Sequence, residues 1–165
     1  MIIDESLMFW DNQTLVSATV GSNSFYSNII DMEGTANATL ATGAYGHGAG
    51  GNIYFTVMLP ISVVGGTSVE FQLVTSDATT GAVATSNLAL SSPTVILDTT
   101  AILTSNVPAN FVASGIIPLN GVKQYLQVNY IPVGLFTSGA VNAFLSESPP
   151  ATNNIPLYPS TVGAV

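Results

Sequence analysis

Apolar and polar residues alternate with period two in three well-separated stretches of this chain, and that spacing commits much of it to β-sheet. Ile53, Phe55, Val57 and Leu59 share one face of the stretch 53–59. Val69, Phe71 and Leu73 alternate with Glu70 and Gln72, and Leu126, Val128 and Tyr130 alternate with Gln127 and Asn129. Helix has little to stand on. Helical faces draw on long straight side chains and charged i,i+4 pairs. Only 6% of the 165 residues are charged, against about 25% in an ordinary soluble domain.

Further strands are predicted at Leu15–Val20, Phe25–Ile30, Val95–Leu97, Val112–Pro118 and Ala140–Leu145. Turn signals stand between them at Gly21-Ser22-Asn23, Gly65-Gly66, Ser91-Ser92-Pro93, Asn120-Gly121 and Ser138-Gly139. About eight short strands punctuated in this way predict an all-β chain, a single-domain antiparallel β-sandwich of jelly-roll type over residues 14–147. The ends differ from the middle. Residues 1–13 carry apolar anchors (Ile2, Ile3, Leu7, Phe9, Trp10) without alternation and are read as an extended N-terminal arm. Residues 148–165 hold four prolines, which favour extended chain over sheet interior. They are read as a C-terminal arm whose Ile155, Leu157, Tyr158 and Val162 suit contact with a neighbouring subunit, with a floppy tail as the alternative.

The charge balance removes whole classes of function. Lys123 is the only Lys, there is no Arg, and His47 is the only His, against nine Asp and Glu and a formal charge of −8. Phosphate-backbone recognition needs clustered base, so no nucleic-acid partner is expected. No apolar run reaches the roughly 20 residues that span a bilayer, and the acidic start Met1-Ile-Ile-Asp-Glu-Ser6 is unlike a signal peptide. No membrane contact is therefore expected. The chain has no Cys, so neither disulfides nor thiolate metal sites hold it together. A mean hydropathy of +0.50 is explained if apolar surface is buried between subunits of a homo-oligomer, dimer or trimer.

Candidate sites are few. The stretch 43–51 is rich in Gly but lacks the Lys-Ser/Thr ending of a phosphate loop and precedes a strand, so it reads as a turned loop. His47 sits in it without a Gly-x-Ser-x-Gly elbow elsewhere, which favours a surface role over a triad. Asp31 and Glu33 point to one side of an extended segment and suggest a Ca²⁺ site or a glycosidase pair. The sparse oxygen ligands around them favour solvated loop acids. Trp10 and the tyrosines offer a sugar-stacking platform, but core or subunit-interface packing is the favoured reading. Lys123 is expected as a turn-exposed ammonium. No enzyme activity, metal or cofactor is expected.

The order of segments resembles the jelly-roll capsid cement (decoration) proteins of tailed bacteriophages. The resemblance rests on the opening Met1-Ile-Ile-Asp4, on Gly48-Ala-Gly-Gly-Asn-Ile-Tyr-Phe-Thr-Val57 and on Val69-Glu-Phe-Gln-Leu-Val-Thr-Ser-Asp77 with Ser91-Ser-Pro-Thr94. Its strongest part is Tyr125-Leu-Gln-Val-Asn-Tyr130 followed by Phe136-Thr-Ser-Gly-Ala-Val-Asn-Ala-Phe-Leu145. It covers most of residues 1–147 through order and spacing. The resemblance implies a non-enzymatic protein on the outer surface of the virion capsid, bridging neighbouring copies of the major capsid protein against the pressure of packaged DNA. This chain departs in having almost no base and a longer tail after Leu145. The competing expectations are a carbohydrate-binding jelly-roll module on a virion or cell surface, and a glycosidase built on Asp31 and Glu33. An exposed row of Trp or Tyr on one sheet face marks the sugar binder.

Overall fold

The computed structural model describes residues 8–15, 25–32, 52–79, 89–118, 122–151 and 155–159. Its strands are β1 (Met8–Thr14), β2 (Phe25–Tyr26), β3 (Ile30–Asp31), β4 (Tyr54–Gly65), β5 (Ser68–Ser76), β6 (Thr94–Asp98), β7 (Ile102–Leu103), β8 (Phe111–Ile116), β9 (Tyr125–Val133), β10 (Phe136–Ser146), β11 (Ile155–Pro156) and β12 (Tyr158–Pro159). Helix among the described residues is limited to one 3-10 turn at Thr104–Asn106. Five strands form one sheet in the order β1-β10-β4-β8-β11. The second has seven, in the order β12-β6-β5-β9-β2, with β3 also on β9 and β7 on β5. Neighbours run antiparallel except for the β11–β8 pair, which is parallel. The expected all-β sandwich is thus present.

The two strand orders run in step. β4 continues into β5, β9 into β10 and β11 into β12, each passing from one sheet to the other. The β4–β5 and β9–β10 passages lie side by side at one corner of the sandwich. There Gly66 N donates to Leu135 O (2.6 Å) and Thr67 N to Val133 O (2.6 Å). Gly66 has φ +61, and a Cβ on it would stand 2.2 Å from Cζ of Phe136. The corner therefore closes only around a residue without a side chain.

Inward faces follow the alternation. Phe55, Val57, Leu59, Val69, Phe71, Leu73, Leu126, Val128 and Tyr130 are all fully buried. Tyr130 stacks on Phe71 (ring centroids 5.4 Å apart) and meets Phe136 edge-on at 6.3 Å. Burial pushes the Tyr130 hydroxyl well above the ordinary phenol value of 10.0. The unfolded chain then binds fewer protons than the native one once pH passes 10. Stability should fall above that pH, by about 1.4 kcal/mol per pH unit. Urea unfolding between pH 9 and 11.5 checks this, and Tyr130→Phe should flatten that part of the slope.

Several expectations are corrected. Residues 8–13 are no arm: they form most of β1, hydrogen-bonded along β10. Register shifts between Met8 and Trp10 and between Trp10 and Gln13 break the alternation. Such bulges set two residues against one on the partner strand, and both Phe9 and Trp10 join the core. Ser138-Gly139 is no turn. It lies inside β10, where the register to β4 also shifts, and the β9–β10 connection is made at Gly134-Leu135. Gln127 does not face solvent. It is fully buried on the outer side of β9, where its Oε1 accepts Leu90 N–H (3.2 Å) and its Nε2 donates to Ser27 C=O (3.0 Å).

The C-terminal segment also packs on its own domain as far as it is described. Ser148–Ala151 cross the outer face of the five-stranded sheet beside Met58 and Val112. β11 then lies along β8, Leu157 enters the core between the two sheets, and β12 lies along β6. Leu157 N donates to Ser114 O (3.0 Å).

Candidate interaction surface

Among the described residues, charge is distributed one-sidedly over the sandwich. β4, β8 and β10 contain no charged residue at all. Their outward positions form three cross-strand rows in register: Ser146, Tyr54 and Ile116; Phe144, Thr56 and Ser114; Asn142, Met58 and Val112. Opposite residues of an antiparallel pair share a side, so these rows make one uncharged face, on which Phe144, Thr56, Ser114 and Val112 are buried and Tyr54, Met58, Ile116, Asn142 and Ser146 reach solvent. Ile116 is 48% exposed on it. Thr56 and Ser114 are buried in the middle row and hydrogen-bond to each other through their hydroxyls (3.0 Å). Beyond them, Met58, Val112, Asn110 and the Ser148–Ala151 crossing line an open, largely apolar groove of about 700 Å³.

The seven-stranded sheet carries most of the described acids. Glu70 on β5, Asp98 on β6 and Asp31 on β3 point away from the core, and Asp77 follows β5. Gln72 Nε2 donates to Glu70 Oε1 (2.6 Å), and Gln124 Nε2 lies 3.4 Å from Asp31 Oδ1. Lys123 pairs with Asp77 of its own chain, Nζ to Oδ2 at 3.1 Å. Both partners are well exposed, so the pair contributes little to stability. Among the described residues, the five-stranded sheet has acids only at its margins, Asp11 on β1 and Glu147 after β10.

Structure and sequence place the candidate contacts differently. Phe9 and Trp10 are core residues, 0% and 6% exposed, and Phe9 packs edge-on against Phe55 at 5.9 Å. Leu157 is 6% exposed and also belongs to the core. Ile155 and Tyr158 are placed by backbone pairing, opposite Ala113 and Asp98 of their own chain. Ile2, Ile3, Leu7 and Val162 lie outside the described residues, as do His47, Glu33 and the glycine stretch 43–51. Among the described residues no three of His, Cys, Asp and Glu cluster as metal ligands would. Tyr26 and Tyr125 are half-buried on the acidic sheet, with buried Gln127 between their positions on β9. They do not make a continuous aromatic row.

The groove was not foreseen from sequence. Its one signal is Pro149-Pro150, an extended apolar pair too stiff to join a sheet. Gln127 was missed because alternation reports which face a residue takes, not whether a loop covers that face. Replacing it with alanine leaves the buried Leu90 N–H and Ser27 C=O unpaired. A loss of about 2–4 kcal/mol is expected, readable as a lower urea midpoint with faster hydrogen exchange at Leu90. No protein-family model and no curated protein matches the chain.

Proposed function

We propose that this protein is a non-enzymatic structural component of a virion. In this reading it is a jelly-roll decoration protein that sits on the outer surface of a tailed-phage head and cements neighbouring major capsid subunits, in a homo-oligomeric form. The observation that carries the reading is the one-sided distribution of charge. A body that covers a broad protein surface must desolvate the face it applies, and Ile116, Tyr54 and Met58, which reach solvent on this face, lose little on leaving water. The carboxylates of β3, β5 and β6 stay in solvent on the opposite side, where they keep densely arrayed copies soluble. The jelly-roll assignment is supported by the paired strand orders, in which ribbons fold over one corner from sheet to sheet.

The carbohydrate-binding alternative fits less well. Trp10 and Tyr130, two of the aromatics it would use, are inside the core.

Cosedimentation with mature heads lacking the protein tests the proposal, with cryo-electron microscopy of the mixture. Regular density is expected with the five-stranded sheet toward the shell. Ile116→Asp should reduce occupancy at least tenfold while leaving the unfolding midpoint nearly unchanged, because Ile116 is already half in water. Glu70→Gln on the opposite sheet should bind as the parent does. Equal loss from both variants, or no binding by the intact folded protein, would reject the proposal and make a glycan array the next step.

A further inference from the structure

The seat filled by the C-terminal segment is a binding site in its own right. One wall is β8, which holds Ile155 opposite Ala113 and Pro156 opposite Ser114 in parallel pairing. The other is β6, which holds Tyr158 opposite Asp98 and Pro159 opposite Leu97 in antiparallel pairing. Between them Leu157 enters the core so closely that a Cβ on Gly115 would stand 2.7 Å from Leu157 Cβ and 2.8 Å from its carbonyl oxygen. Such a seat accepts an extended segment with one leucine at its centre, by strand addition on two sheets at once.

The strap is held by little. Two pairings of two residues each and one buried side chain fix residues 155–159, which eight residues, 147–154, separate from β10 in sequence. Its path also leaves slack. From Ser146 the strap must cross three strand spacings and step back three residues along β8, a distance of about 17 Å at ordinary sheet dimensions. The nine steps from Ser146 to Ile155 span about 30 Å when extended. The chain before the seat is therefore longer than its own seat requires, which leaves length to enter the seat of a second copy lying alongside.

We infer that residues 155–159 exchange between copies, each strap filling the seat of a second copy of this chain. The occupant's fit is established by the segment already seated, since the incoming segment is identical. Exchange competes with an intramolecular effective concentration of the order of 1 mM for a linker of this length. It is therefore a minor state in dilute solution and a substantial one wherever copies are crowded on a surface. The inference stands apart from the capsid reading, because it is tested with the purified protein alone.

The absence of native cysteine makes the test clean. Asp98→Cys and Tyr158→Cys are prepared as two separate full-length proteins, mixed and mildly oxidised. A disulfide between the two variants forms efficiently only if the strap of one sits on β6 of the other. The mixed dimer is expected to exceed the self-crosslinked dimers at least fivefold. Its yield should rise about tenfold between ~10 and ~100 µM protein, as competition with a millimolar internal concentration requires. The double variant carrying both cysteines in one chain should close internally in dilute solution. Internal closure of the double variant with no excess of mixed dimer would overturn exchange, and failure of the double variant to close would overturn the seat itself.

Discussion

Gly66→Val is expected to cost about 4 kcal/mol or more and to leave a protein that is largely unfolded well below the parent's melting temperature. Two penalties add at one position. Valine is strained at φ +61, where a residue with a Cβ loses about 1–2 kcal/mol. Its Cβ would also stand 2.2 Å from Cζ and 2.5 Å from Cε1 of Phe136. That ring is 1% exposed and wedged against Tyr130, so it cannot step aside without opening the core. Displacing a buried phenylalanine costs about 3–5 kcal/mol, a large part of the 5–15 kcal/mol that holds an ordinary domain together. Thermal and urea denaturation measure the loss. Phe136→Ala in the same chain should recover part of it, since the ring is then no longer the obstacle. A variant as stable as the parent would mean that the corner is not built around Phe136.

Deleting residues 1–13 is expected to abolish cooperative folding, although the sequence by itself reads them as a dispensable arm. The deletion removes all of β1 but Thr14 and takes Phe9 and Trp10 out of the core. Burying two large aromatics contributes about 4–6 kcal/mol. β10 loses the strand that covers its edge, and Phe55 loses the ring that meets it at 5.9 Å. A broad, non-cooperative melting curve is the expected readout. Deleting only residues 1–7 removes none of the described strands. The shorter deletion is therefore the variant to carry into head binding, where lost occupancy with a normal melting curve would assign Ile2, Ile3 and Leu7 to the contact. A folded 14–165 protein would show that β1 is an accessory to the sandwich.

What was legible in the sequence is what short-range alternation encodes. The three period-two stretches became the N-terminal parts of β4, β5 and β9, with their apolar members buried. The features that escaped depend on partners distant in sequence. β1 is hidden because its bulges are set by the register of β10, some 130 residues away. The strap is hidden because prolines and a lone leucine acquire strand character only beside β6 and β8. Gln127 reads as a solvent residue until Leu90 is folded over it. The uncharged face could be seen only in part. The lack of charge in 54–65, 111–116 and 136–146 is plain in the sequence, but their adjacency in one sheet is a matter of topology. Of the candidate contacts, Phe9, Trp10 and Leu157 were read as touching a neighbour and instead pack in the chain's own core, a choice that composition and spacing do not decide.

The way the sandwich closes its two open sides has a bearing on solubility. Most soluble β-proteins keep foreign strands away with lysines and other charges along their sheet edges. A chain with 47% hydrophobic and 6% charged residues has almost none to spare. Here geometry takes over that task. On one side the edge of β1 is bulged and its Phe9 carbonyl accepts Asn28 N–H (3.3 Å) from the opposite sheet, while β2 and β3 run for only two residues each. On the other side the strap covers β8 and β6 with two more two-residue strands. Templated growth into fibrils needs a long, flat, unpaired row of backbone groups. The described edges are broken into pieces too short to offer one. A protein that dispenses with repulsive charge can in this way be packed side by side at high density without its sheets growing beyond the strap that fills their edges.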